Sequence, residues 1–116
     1  MAADSSTLRV VMAQLDFLVG DIAGNVDKII RAATEARDRL HADLIAFPEL
    51  TLTGYPPEDL LLRPGFIRQV EPALHCLCNE IRGISAIIGS PLSTPDGLRN
   101  AAVALADGQI QSTYYK

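Results

Sequence analysis

One acid stands where a catalytic carboxylate would sit. It is Glu49, at the end of the apolar run that opens DLIAFPELTLTGYPPEDLLLR. Residues 43–47 read as a short buried strand. Pro48 lacks a backbone N–H and holds Phe47 extended, and the Thr-Gly-Tyr-Pro-Pro segment then excludes a regular helix. The carboxylate therefore falls at a strand mouth. A second candidate is Lys116. Alternation along residues 109–116 puts Ile110, Ser112, Tyr114 and Lys116 on one face and Gln109, Gln111, Thr113 and Tyr115 on the other, so Lys116 is expected to face the interior with Ile110. An inward lysine is costly to desolvate unless a carboxylate meets it, and a Glu ending a neighbouring strand could be that partner. A loop carboxylate and a frayed lysine account for the same residues without any chemistry, and periodicity does not decide between the two.

The remaining reactive side chains offer less. Cys76 and Cys78 are two apart on an expected helix, so their side chains diverge by about 200° and cannot easily bridge each other or clasp one metal. They read as buried or half-buried thiols. His41 and His75 stand alone, with no Cys/His cluster at zinc spacing, and no metal is expected.

The elements that would position Glu49 and Lys116 follow from pattern. Residues 8–15 (LRVVMAQL) are apolar with little alternation, the mark of a strand covered on both faces, and are expected to be central. Asn25 is expected to cap a helix whose apolar positions Val26, Ile29, Ile30, Ala33, Ala36 and Leu40 keep helical spacing, with Arg37 and Arg39 in the last turn. With residues 43–47 this makes a β-α-β unit, normally right-handed with parallel strands. Pro64 suits the first turn of a second helix carried by Phe66, Ile67, Val70, Leu74, Leu77 and Ile81 and released at Gly83, with a break expected near Pro72. Residues 84–90 read as a third buried strand ending at Pro91, and residues 93–97 as a turn-rich loop. Residues 100–106 and 109–116 flank Asp107-Gly108, a two-residue hairpin signal. A domain seldom ends on an unpaired strand, so a piece of something longer is expected, with the remainder beyond Lys116.

Composition bounds the function classes. A chain of 116 residues, 48% hydrophobic, can hold one domain with a core, or part of one. A net charge of −4 with no basic stripe gives no reason to expect a nucleic-acid partner. Residues 1–7 are small and polar without a leader-like pattern, and no apolar run approaches the roughly 20 residues of a membrane span. A cytoplasmic protein without a membrane partner is the expectation.

The order LRVVMAQLDFLVGDIAGNVDKI, ADLIAFPELTLTGYPPEDLLLRPGF, IIGSP and NAAVALADGQIQSTYYK resembles the amino-terminal half of a carbon-nitrogen hydrolase (nitrilase-superfamily) domain. FPELTLTGYPPEDLLLRPGF resembles in particular the glutamine-hydrolysing domain of the glutamine-dependent NAD(+) synthetases. The resemblance implies an α/β fold, the N-terminal part of an α-β-β-α sandwich with a mixed sheet, flanking helices and a C-terminal β-hairpin. Residues 1–116 would be an incomplete glutaminase domain, with the synthetase domain absent.

The resemblance also implies a Glu, Lys and Cys triad. By motif position the Glu is Glu49, as general base and acid, and the Lys is Lys116, near the developing oxyanion; Tyr55 would line the glutamine pocket. A Tyr before Pro-Pro is equally a packed loop anchor. The family's nucleophile follows its Lys in a Cys-Glu-Asp type motif, which neither Cys76 nor Cys78 matches, so a 116-residue product is expected to be inactive. The implied substrate is glutamine. The implied partners are the remainder of the synthetase and further copies in a homo-oligomer. No cofactor is implied for this domain, and ATP and Mg for the absent one.

Other readings share these residues. A stand-alone nitrilase-type amidase or carbamoylase would use Glu49 and Lys116 but has no reason for the Gly-Tyr-Pro-Pro-Glu-Asp stretch. A non-catalytic remnant would need a companion chain to supply the remaining strands and the Cys. A Rossmann-like nucleotide site lacks its cradle, since Gly20 and Gly24 enclose Asp-Ile-Ala and form no G-x-G-x-x-G.

Overall fold

A computed structural model describes residues 7–116. The reading of residues 1–7 falls, for residues 1–6, outside the described chain. Five strands form one sheet in the order β1-β2-β3-β4-β5: Val10–Met12, Leu44–Ala46, Ser85–Thr94, Gly97–Ala106 and Gln109–Tyr115. β1, β2 and β3 run parallel, and β4 and β5 are added antiparallel. Three helices accompany them: α1 (Ile22–Asp38), α2 (Pro64–Ile67) and α3 (Val70–Glu80), with a 3-10 turn at Glu58–Leu62.

The helices lie on one face of the sheet. Ile29, Ala33, Leu74 and Leu77 pack in one cluster with Ile45, Ala86, Ile88, Val103 and Leu105, all 2% exposed or less. The other face carries Val10, Met12, Leu44, Ala46, Ile87, Gly89, Ala102, Ala104 and Tyr114, and no described helix or strand covers it, the Pro48–Leu50 loop alone lying over Gly89. Of the four layers implied by the resemblance, the described residues form two. This corrects the expectation for residues 8–15: β1 is three residues long, lies at the sheet edge, and exposes Met12 by 81%. Its apolar run is continuous because both faces are apolar, yet only Val11 and Ala13 of that run meet the helix-side core.

Three further expectations change and a fourth is sharpened, each for a local reason. Asp21, not Asn25, caps α1, its carboxylate accepting from Gly24 N at 2.9 Å. Asn25 is fully buried inside the helix. The break expected near Pro72 falls just ahead of it, after α2 at residues 68–69. Pro72 would clash with the Arg68 carbonyl four residues back in a continuous helix, so α3 restarts to put Pro72 in its first turn. β3 runs through Pro91 to Thr94. Ile87 O accepts from Phe47 N and Gly89 O from Leu52 N, so alternate residues face that edge, and the donor Pro91 lacks points away from β4.

The third correction concerns parity. Leu105 pairs with Ile110 but Ala104 pairs with Ser112, so Gln111 is an extra residue, a β-bulge. Counting by twos fails across it. Ile110, Thr113 and Tyr115 share the helix side, and Ser112, Tyr114 and Lys116 face the bare side. Lys116 therefore does not share a face with Ile110 or point into the core, and its side chain is 75% exposed. The hairpin itself is as expected: Asp107 (φ 54°) and Gly108 (φ 77°) have the left-handed conformations of a type I′ turn.

Candidate active site

β1, β2, β3 and β5 all run in one direction, so their carboxyl ends gather at one rim of the sheet. Ligands bind outside such ends in open α/β sheets. Glu49 follows β2 there, and Lys116 follows β5.

The strands they follow have two others between them, and a glycine closes the gap. A Cβ on Gly89 of β3 would collide with the Pro48 carbonyl and stand 2.5 Å from Leu50 N. Without one, the Pro48–Leu50 backbone lies directly on β3, and the Glu49 side chain reaches over to β4 and β5. Its Oε1 accepts from Lys116 Nζ at 2.8 Å and from Asn100 Nδ2 at 2.7 Å. Lys116 N donates to Asn100 O at 2.9 Å.

The loop that carries Glu49 is braced from below. Leu50 sits at φ 52°, a left-handed conformation that is uncommon for a non-glycine residue and needs support from its surroundings. Thr51 Oγ1 donates to Pro48 O, and Leu52 N donates to Gly89 O at 3.1 Å. Asn25 supplies the deepest brace. Its Nδ2 donates to Leu18 O (2.9 Å) and Leu52 O (3.1 Å), and its Oδ1 accepts from Leu18 N (2.9 Å). The β1–α1 loop and the Glu49 loop are thereby tied through one buried amide. Gly54 (φ 76°) tightens the same seam, since a Cβ there would stand 2.6 Å from Val19 Cα.

The electrostatics follow from the pair. The hydrogen bond from Lys116, then that from Asn100, holds the Glu49 carboxyl below its ordinary range. The bond to Glu49 raises Lys116 above its own. Both groups are solvated, with Glu49 41% exposed, so the pair defines geometry more than it adds stability. At neutral pH the site holds a carboxylate, an ammonium with two donors to spare, and a neutral amide. Glu49, Gly89, Asn100, Ala102, Tyr114 and Lys116 line an open cleft of about 410 Å³ on the bare face. A depression of about 270 Å³ near Glu71, His75 and Tyr115 lies on the helix side, away from the pair.

The other candidates are placed as follows. Tyr55 is 64% exposed and does not line the cleft, although its phenol is near enough to influence Lys116. Cys76 and Cys78 lie on α3, on the far side of the sheet; Cys76 is exposed, and burial pushes the Cys78 thiol up, away from the thiolate. Asn100 was not singled out by sequence reasoning. The signal for it was its place opposite Lys116 in the hairpin, reachable by pairing back from Asp107-Gly108 with the bulge allowed for.

Residues 9–116 match the carbon-nitrogen hydrolase family. The chain is 49% identical over 115 residues to a glutamine-dependent NAD(+) synthetase of Xanthomonas campestris, covering 99% of this chain and 21% of that protein. It is 43% identical to the Thermotoga maritima enzyme of the same name, covering 94% and 19%. Among solved structures, a glutamine-dependent NAD(+) synthetase from Acinetobacter baumannii, in complex with ADP, superposes with a TM-score of 0.87 at 37% identity, covering 94% of this chain and 20% of that one. A nitrilase-superfamily amidase from Nesterenkonia shares the fold, with a TM-score of 0.78 at 23% identity. This chain thus spans about a fifth of the length of the curated relatives it matches.

Proposed function

The chain belongs to the carbon-nitrogen hydrolase family, and on that premise we propose that it carries two thirds of a glutamine-hydrolysing site. In this reading Glu49 is the general base and acid and Lys116 the cation beside the developing oxyanion. The observation that carries it is the Glu49–Lys116 contact of 2.8 Å at the carboxyl rim of the sheet. The ammonia released would serve ATP-dependent conversion of deamido-NAD to NAD(+), the activity suggested by the names of the synthetases this chain resembles.

Each residue's part follows from its chemistry. Glu49, already ionised at neutral pH, takes a proton from the attacking thiol, returns it to the leaving nitrogen, and then takes one from the water that releases glutamate. Lys116 keeps one N–H on Glu49 and directs its remaining donors at the oxygen of the tetrahedral intermediate. The thiol is neither Cys76 nor Cys78; by the family resemblance it belongs to the region after Lys116. Tyr55 is assigned to the mouth of the glutamine pocket, which requires it to turn toward the cleft. ATP and magnesium belong in this proposal to the remainder of the relatives' length. No group of three or more His, Cys, Asp or Glu able to hold a metal occurs among the described residues, and no step here runs through one.

A chimera tests the assignment: the 116 residues replace the matched segment of the Xanthomonas synthetase. Ammonia release from glutamine far above that from simple aliphatic amides is expected. A preference for simple amides would favour the stand-alone amidase reading. The 116-residue product alone is expected to release none.

A further inference from the structure

We propose that Asn100 is a positioning residue for Glu49: with Lys116 it anchors the carboxylate through Oε1, so that Oε2 is the oxygen that carries the proton. The inference rests on the reading of Glu49 as the acid–base group.

Oε1 already accepts two hydrogen bonds, at 2.7 Å from Asn100 and 2.8 Å from Lys116, whereas Oε2 has no partner among the described residues. A proton arriving at Oε1 would have to displace one of two short bonds, one of them from a cation. At Oε2 it displaces neither. The thiol proton therefore goes to Oε2 and from there to the departing amide nitrogen, which leaves as ammonia. In the second half the water proton takes the same path back to the sulfur, and the carboxylate is regenerated.

Asn100 suits this task in a way that Lys116 does not. Lys116 divides its donors between Glu49 and the substrate oxygen; Asn100 is neutral at every working pH and holds Oε1 whether or not Oε2 is protonated. A carboxylate oxygen only accepts, so the amide must present Nδ2 to it. The same residue's carbonyl accepts from Lys116 N at 2.9 Å, so one residue of β4 fixes the acid by its side chain and the lysine by its main chain. Asn100 is half-buried opposite Pro91 in the β3–β4 ladder, a position anchored on both sides.

The test compares Asn100→Leu and Asn100→Ser in the chimera, with Glu49→Gln as reference and the Glu49 carboxyl followed by ¹³C NMR. Removing the donor should lower kcat by roughly ten- to a hundred-fold with a smaller change in KM. It should also move the acid limb of the kcat/KM profile and the Glu49 titration to higher pH, because the charged form loses a donor. Serine, which can still donate, should recover part of both. If Glu49→Gln is inactive but neither variant moves the acid limb or the titration, the role of Asn100 is overturned and the reading of Glu49 survives. If Glu49→Gln stays active, the reading beneath it falls.

Discussion

The two faces of the same five-stranded sheet are used in opposite ways. On the helix side Ile45, Ala86, Ile88, Val103 and Leu105 are sealed beneath α1 and α3. On the bare side Met12 and Tyr114 stand open to solvent, and Glu49, Asn100 and Lys116 converge. One face supplies cohesion and the other, in the proposed reading, supplies chemistry, and they are joined by the backbone and by the braces beneath the Glu49 loop. Substitutions on the first face should register as stability, and on the second as activity.

The largest break should come from the sealed face. Ile88→Ala is expected to cost about 2–5 kcal/mol in urea unfolding, since the site is fully buried and cannot collapse easily. Met12→Ala on the bare face should stay within about 0.5 kcal/mol. Equal losses would erase the distinction.

Next come the braces that join the faces. Asn25→Ala strands the Leu18 N–H and the Leu18 and Leu52 carbonyls, and about 2–3 kcal/mol should be lost on denaturation. Gly89→Ala sets a methyl group against the Pro48 carbonyl, and about 1–3 kcal/mol of overpacking should appear as a lower melting temperature together with a displaced Glu49. A variant as stable as wild type, with the Glu49 ¹³C signal unmoved, would show that the loop does not rest on β3.

The smallest effect is electrostatic and belongs wholly to the bare face. Glu49 is lowered in the fold, so its contribution is present above the ordinary glutamate range and lost as pH falls through its depressed folded value. Lys116 is raised, so its contribution is present below the ordinary lysine range and lost as pH rises through its raised value. Lys116→Met should lower the middle of the stability–pH curve slightly and leave its two extremes, where the pair is already lost, unchanged.

Much of the helix-covered face was legible in the sequence, because burial leaves a periodic trace. Ile29, Ala33 and Ala36 mark α1, and Asp107-Gly108 marks the β4–β5 turn. The bare face was less so. A bulge costs one residue and leaves no compositional mark, so Gln111 reversed the expected side of Lys116. Asn25 looked like a cap because caps and buried amides use the same residue type, and only the partners distinguish them. The place of Glu49 at the end of β2 could be read from its motif. Its contact with Asn100 could not, because it depends on a missing Cβ at Gly89, on the neighbouring strand and far from the acid in sequence.

The central claim is that Glu49 moves the proton for a nucleophile that is neither of this chain's cysteines. Its most direct measurement is the rate of ammonia release from glutamine by the chimera, taken for Glu49→Gln and for the Cys76→Ser/Cys78→Ser pair. The account predicts a fall of roughly 10²–10⁴-fold in the first and a rate close to wild type in the second. Near-normal turnover without the carboxylate, or loss of turnover without the two helical thiols, would contradict it.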